Sequence, residues 1–223
     1  MRTLKLLSWL ALLPALVAAQ QSPTDRLRAV LPPDVADQVI ATVTDATSRG
    51  LPGRAIAERA LEGIAKGRSG AEVRSAALAL AADLAAAHDA LVQAGRTPDA
   101  SEIESGATAM ELGVDGATVS ALASAAPSGR SLAVPLAVIG ALVNRGLPSD
   151  DAVQAVLDRL TTRAASSDAD LVEMPGEAGL LIARGYRPSD VGRALSAGRP
   201  AGVPANPGRP GDRPQPPVRV PRP

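Results

Sequence analysis

A short segment that ends one helix and starts the next recurs along this sequence. Its fullest form is Arg-Gly-Leu-Pro-Ser-Asp at residues 145–150. Gly146 can take the left-handed conformation that closes a helix without steric penalty. Pro148 fits the first turn of the following helix because its missing N–H would be unpaired there. Related segments contain five other glycines, Gly50, Gly67, Gly95, Gly113 and Gly185. This repeated corner predicts an all-α chain, an array of about nine or ten short helices.

The first 19 residues have the composition of a secretory signal peptide. Arg2 and Lys5 supply positive charge, residues 6–13 form an apolar core, and residues 17–19 offer small side chains for cleavage. The alternative is an uncleaved anchor, but the apolar run is short for a membrane span. We therefore expect an exported protein, periplasmic or extracellular, whose mature chain begins near Gln20 and has no further membrane span.

The residues that usually build metal and cofactor sites are scarce. The sequence contains no cysteine, so it can form neither disulfides nor a zinc–thiolate site. His88 is its single histidine, which excludes a site that needs two. We expect neither a metal nor a cofactor, and we expect His88 to be structural.

Aromatic content and charge argue against two classes of binding protein. Phenylalanine is absent, and Trp9 lies in the predicted signal peptide, so Tyr186 is the one aromatic residue of the mature chain. Single-stranded nucleic acids bind by stacking on several aromatic rings, which this chain lacks, and sugar binding commonly uses aromatic faces too. Residues 20–197 carry 16 basic and 22 acidic side chains, a net charge of −6 that would repel phosphates. We therefore expect no nucleic-acid partner.

The longest predicted helix covers residues 70–94 and carries an apolar stripe with heptad spacing. The stripe consists of Val73, Ala77, Leu80, Leu84, Ala87 and Leu91. One interpretation is a central helix on which the others pack, and the alternative is a dimeric coiled coil. The most apolar predicted helix, residues 132–145, is expected to be buried.

Two separate parts of the sequence also resemble each other. A shift of 96 residues places Arg-Gly-Leu-Pro at residues 49–52 on the same letters at residues 145–148. An internal duplication would have halves at residues 36–106 and 132–197. The alternative is a chance match between helical segments rich in alanine, glycine and proline. Both a solenoid-like array and an irregular bundle agree with these patterns.

The composition changes abruptly at residue 198. Nine of the last 26 residues are proline, and such a segment buries too little apolar surface to fold. We predict a disordered tail at residues 198–223, separate from a helical domain at residues 20–197. Five arginines of this tail are candidate contacts to an anionic envelope polymer or a partner protein: Arg199, Arg209, Arg213, Arg219 and Arg222.

Catalytic motifs are missing from the sequence. Neither a phosphate-binding loop nor a Gly-x-Ser-x-Gly nucleophile segment is present. Paired acids stand where helices are predicted to begin, and capping explains them without catalysis. These pairs are Asp99 with Glu102, Asp150 with Asp151, and Asp168 with Asp170. We assign no catalytic, cofactor or metal residue.

Three functional hypotheses follow from these patterns. The preferred one is an exported, non-enzymatic helical protein whose body binds a protein or an envelope polymer. The first alternative is a cell-envelope hydrolase that uses Asp or Glu, which would need a concave site with two perturbed carboxylates. The second alternative is a structural tether that acts through the basic tail. The oligomeric state is not fixed by the sequence.

Overall fold

The computed structural model describes residues 22–162 and 167–197, which form helices and no strands. The predicted signal peptide and the predicted tail lie outside these residues. The described part contains eleven helices: α1 (Pro23–Val30), α2 (Pro33–Ser48), α3 (Gly53–Ala65), α4 (Gly70–Gln93), α5 (Ala100–Glu111), α6 (Gly116–Ala125), α7 (Ala133–Asn144), α8 (Ser149–Thr162), α9 (Asp168–Val172), α10 (Met174–Ala183) and α11 (Pro188–Ser196). The all-α prediction is confirmed.

The predicted corners are confirmed at the level of the backbone. All six glycines at the corners have a positive φ, for example 90° at Gly146. The Gly146 amide donates to the Val143 carbonyl at 2.8 Å, and the Leu147 amide donates to the Leu142 carbonyl at 3.2 Å. This pair of hydrogen bonds is a Schellman motif, which satisfies carbonyls that the helix leaves open. The side chain of Leu147 is buried.

Side-chain caps fix the starts of several helices. The Ser69 hydroxyl accepts from the Glu72 amide, and the Glu72 carboxylate accepts from the Ser69 amide at 2.8 Å. This capping box satisfies two open donors at the start of α4. Asp115 caps α6, accepting from the Thr118 amide at 2.7 Å.

Helix α4 is the centre of the N-terminal half, packing on α2, α3, α5 and α6. Its six-residue heptad stripe is entirely buried in the chain's own core. The central-helix interpretation is therefore confirmed, and a coiled coil through this stripe is wrong because neighbouring helices already cover it. By length and composition alone α4 is apolar enough to cross a membrane, although core helices of soluble proteins pass the same test.

The helices stack as a sequential array. The principal packing pairs join helices no more than three places apart in the chain, such as α2 with α4, α5 with α7, and α8 with α11. Small residues let the axes approach where helices cross. A Cβ added at Gly106 would lie 2.9 Å from the Ala87 Cβ, and one added at Gly140 would lie 3.4 Å from the Ala109 Cα. The α4–α5 crossing therefore depends on glycine, and the α5–α7 crossing leaves little room for a side chain at Gly140.

The buried apolar side chains of the described residues form two clusters. The N-terminal cluster joins α1 to α5, and the C-terminal cluster runs from the ends of α4 and α5 to α11. Leu84 belongs to the first cluster and Leu91 to the second, so α4 connects them. The internal duplication remains a prediction, although α8 begins at residue 149, which is 96 residues after the start of α3.

Three helix ends show how local sequence sets the bounds. Val30 is the last residue of α1 and is 51% exposed. Helix α5 begins at Ala100 because Asp99 takes the N-cap position. Helix α10 begins at Met174, and Pro175 is tolerated in its first turn.

Candidate functional site

A polar cleft lies where the end of α4, the start of α5 and the end of α6 meet the loop that leads into α7. Its volume is about 550 Å³. Both charged and hydroxyl side chains line it, including Arg96, Glu102, Arg130, Thr97 and Ser128. We call this site the Arg96 cleft.

Arg96 fixes one wall of the cleft. It is the third residue after the end of α4, and its guanidinium donates to four backbone carbonyls at the end of α6 and in the following loop. Nε and Nη2 donate to the Ala123 carbonyl at 3.0 and 2.9 Å, and Nη1 donates to the Arg130 carbonyl at 3.1 Å. A cation is favourable at a helix C-terminus because of the helix dipole. Arg96 therefore holds α6 and the loop against α4.

Glu102 fixes the opposite wall. Its side chain is buried, at 9% exposure, and accepts two backbone hydrogen bonds. One oxygen accepts from the Asp99 amide at 3.0 Å, which completes a capping box on α5. The other oxygen accepts from the Leu132 amide at 2.7 Å, immediately before α7. One carboxylate thus caps the start of α5 and anchors the start of α7.

The rim of the cleft is tied to the C-terminal helices. Arg130 Nη2 donates to Asp168 Oδ1 at 2.8 Å, joining the loop before α7 to the first turn of α9. The hydroxyls of Thr97 and Ser128 also line the cleft, and neither makes a hydrogen bond with the described residues. They are the groups most available to a polar ligand.

A second, smaller cleft of about 370 Å³ separates α3 from α5 above α4. Arg59 of α3 bridges it with two parallel hydrogen bonds to Glu111 of α5, at 2.7 and 2.8 Å. These bonds lower the pKa of Glu111. Partial burial, and then the negative charge of Glu111, raise the pKa of nearby Asp83. Both oxygens of Glu111 are engaged by Arg59, so this carboxylate is poorly placed to exchange protons with a substrate.

The acid pairs singled out in the sequence serve helix starts, and the structure does not bring the three pairs together as one site. Asp99 and Glu102 form the capping box of α5, and hydrogen bonds from the Ser101 hydroxyl and the Glu102 amide lower the pKa of Asp99. Asp170 accepts from the Ser167 amide at 2.9 Å, which caps α9. Asp150 and Asp151 lie in the first turn of α8, as predicted from the helix dipole.

The other predicted residues give no site. His88 Nδ1 lies 3.1 Å from Asp89 Oδ1 on the exposed side of α4. Among the described residues no group of three or more acidic or histidine side chains could hold a metal ion. The five tail arginines lie outside the described residues.

Sequence reasoning missed the roles of Arg96 and Glu102. A signal for Arg96 exists in part, since the equivalent position holds the buried residues Leu51, Val114 and Leu147 at three other corners. Arg68 holds the same position with an exposed side chain, so an arginine there does not by itself indicate buried partners. No comparable signal points from Glu102 to Leu132.

No known protein family, no curated protein and no solved structure matches this chain. The functional interpretation therefore rests on the geometry of the Arg96 cleft and on the sequence.

Proposed function

We propose that this chain is an exported, non-enzymatic helical protein that binds a protein or an envelope polymer through its helical body, with the Arg96 cleft as the binding site. The observation that carries the proposal is the way the cleft is built. Arg96 and Glu102, the charged side chains that hold its walls, are hydrogen-bonded to backbone groups. They therefore shape the cleft and are poorly placed to react with a ligand. The free hydroxyls of Thr97 and Ser128 then offer hydrogen bonds to a polar segment that lies in the cleft.

A pre-formed cleft favours binding because little conformational entropy is lost when the ligand enters. The walls of the Arg96 cleft are set by hydrogen bonds between helix ends, so its shape does not depend on the ligand. Export follows from the predicted signal peptide and is part of the proposal.

The hydrolase alternative needs two carboxylates that converge on a substrate. One pair of neighbouring carboxylates with shifted pKa values is Asp83 with Glu111, whose pKa values shift in opposite directions. Arg59 donates a hydrogen bond to each carboxylate oxygen of Glu111, and this favours the binding proposal over the hydrolase.

The test is a pull-down from native envelope extract with the chain from Gln20 as bait. Ser128→Trp would fill the cleft from an exposed position in its lining. Ser189→Trp is the matched control, an exposed serine in the first turn of α11, away from the cleft. The proposal expects a partner that the wild-type and Ser189→Trp baits capture and the Ser128→Trp bait does not.

Two other baits separate the alternatives. A bait with the five tail arginines changed to glutamine keeps the cleft intact. If capture is lost with this bait and kept with Ser128→Trp, the tail is the binding element and the tether alternative replaces the proposal. Equal capture by all baits would place the binding surface elsewhere on the body.

A further inference from the structure

The longest helix has a second heptad-spaced face, on the side opposite the buried stripe. All six of its members are exposed, and four of them are small and uncharged: Ser75, Ala79, Ala82, Ala86, Asp89 and Gln93. Two large apolar side chains lie on one flank of this face, Leu78 at 54% exposure and Val92 at 47%. We call this surface the Ala82 face.

Exposed large apolar side chains are few in the described part of the chain, and two of the five lie here. They are 14 residues apart, which is two heptads, so they lie on the same side of the helix about 21 Å apart. None of the helices that pack on α4 covers them. A rigid helix face of mostly small side chains, with exposed apolar side chains at heptad spacing on its flank, suits another helix with the same spacing.

The geometry points to a second copy of this chain as the partner, with the two α4 helices antiparallel and a two-fold axis at Ala82. In this register two residues face each other across the axis when their numbers sum to 164, so Ala82 faces Ala82 of the other copy. Leu78 of each copy then lies over Ala86 and Ala85 of the other, which leave room for it. Alanine at the centre lets the two backbones approach closely.

The charges on α4 select the antiparallel arrangement. Arg74 lies on the same flank as Leu78, and its Nη1 donates to the neutral Gln38 Oε1 at 2.9 Å. Asp89 is 77% exposed, and its close contact is His88 of the same helix. An antiparallel pair places each Arg74 beside the other copy's Asp89, whereas a parallel pair would set arginine against arginine and aspartate against aspartate. For Arg74 and Asp89, therefore, only the antiparallel direction pairs opposite charges.

The size of the face sets the strength of the contact. Helix α4 has 24 residues and is about 36 Å long. A single helix face buries less than the roughly 800 Å² per partner of a standard interface, so we expect a reversible dimer that forms at high concentration.

Cysteine crosslinking tests the register, because the chain has no cysteine of its own. Ala82→Cys should form a disulfide-linked dimer on mild oxidation, since the two residues 82 meet at the axis. Ala76→Cys is the matched control, exposed on the same helix but off the face. Ala79→Cys and Ala86→Cys, two exposed members of the face, should crosslink when mixed and much less when each is alone. Strong self-crosslinking of each separate variant would show a parallel pair and overturn the proposal.

A charge swap tests the contact itself by sedimentation velocity over a concentration series. Arg74→Glu and Asp89→Arg should each weaken the dimer, and the double variant should restore it, which a purely structural role would not produce. Leu78→Glu should raise the dissociation constant about tenfold or more, because a carboxylate would be desolvated against alanine. Circular dichroism confirms that each variant remains folded.

Three outcomes would overturn the proposal. One is an Ala82→Cys chain that stays monomeric at millimolar concentration with its thiol open to alkylation. Another is an Ala82→Cys monomer in which the thiol is protected, which would assign the face to a segment of the same chain. The third is a dimer that survives Leu78→Glu unchanged.

Discussion

At the scale of single residues, the corner after α4 differs from the other corners in the role of the residue that follows its glycine. Leu51, Val114 and Leu147 are buried in the apolar clusters. Arg96 occupies the same position, but its guanidinium donates hydrogen bonds to carbonyls at the end of α6 and in the next loop. Arg68 also occupies it, but reaches only Glu72, at 3.4 Å.

Arg96→Ala should lower the free energy of unfolding by about 2 kcal/mol, because four carbonyls lose their donor. Arg68→Ala is the matched control, and its effect should stay within about 0.5 kcal/mol since its ion pair is exposed. Urea denaturation followed by circular dichroism measures both. Equal effects of the two substitutions would contradict the role assigned to Arg96.

The cap on α5 should make stability depend on pH. Hydrogen bonds from the Ser101 hydroxyl and the Glu102 amide lower the pKa of Asp99 in the folded chain. A lowered pKa contributes stability that is present above the unfolded value of about 3.9 and is lost as the pH falls through the folded value. Asp99→Asn keeps a capping oxygen but does not titrate.

The stability difference between wild type and Asp99→Asn should therefore shrink as the pH falls from 6 towards 3. Urea denaturation of both proteins at several pH values provides the measurement. Parallel stability curves over this range would show that Asp99 gains nothing from its charged form.

At the scale of helices, the crossings depend on missing side chains. The Cβ of an alanine at position 106 would lie 2.9 Å from the Ala87 Cβ, closer than van der Waals contact. Gly176 in α10 is also helical but has nothing within 4 Å of an added Cβ.

Gly106→Ala should destabilise the protein by about 1–3 kcal/mol, because the overpacked crossing outweighs the better helix propensity of alanine. Gly176→Ala should raise stability by up to about 1 kcal/mol, since only the propensity term acts there. Thermal and urea denaturation measure both changes. A stabilising effect of Gly106→Ala would mean that α4 and α5 can separate at no cost.

At the scale of the whole molecule, the question is whether the two apolar clusters unfold together. Helices α4 and α5 contribute side chains to both clusters. Tyr186 packs against the C-terminal cluster only, and it is the one aromatic residue after residue 19. Its fluorescence therefore reports on the C-terminal half, whereas circular dichroism reports on all helices.

Leu84→Ala removes a fully buried side chain from the N-terminal cluster and should cost about 2–5 kcal/mol. In the chain from Gln20 the transition seen by Tyr186 should shift as far as the transition seen by circular dichroism, because α4 couples the clusters. Leu180→Ala, at an exposed position, is the control and should shift neither. An unchanged Tyr186 midpoint in Leu84→Ala would show two independent folding units.

The sequence by itself determined the features that depend on neighbouring residues. The positive φ of Gly146 and the capping box of Ser69 with Glu72 involve groups within five residues of each other. The buried stripe of α4 was predictable as well, because its heptad positions hold the larger apolar side chains. Local sterics and spacing fix these features, so the helices and most of their ends followed from the sequence.

Only the tertiary structure decided what happens between distant residues. Arg96 meets carbonyls 27 to 34 residues away, and Glu102 meets an amide 30 residues away. Spacing along the chain carries no information about such pairs, so the Arg96 cleft was not predictable. The uncovered Ala82 face was not predictable for the same reason, since which side of α4 stays exposed depends on how α2, α3, α5 and α6 pack around it.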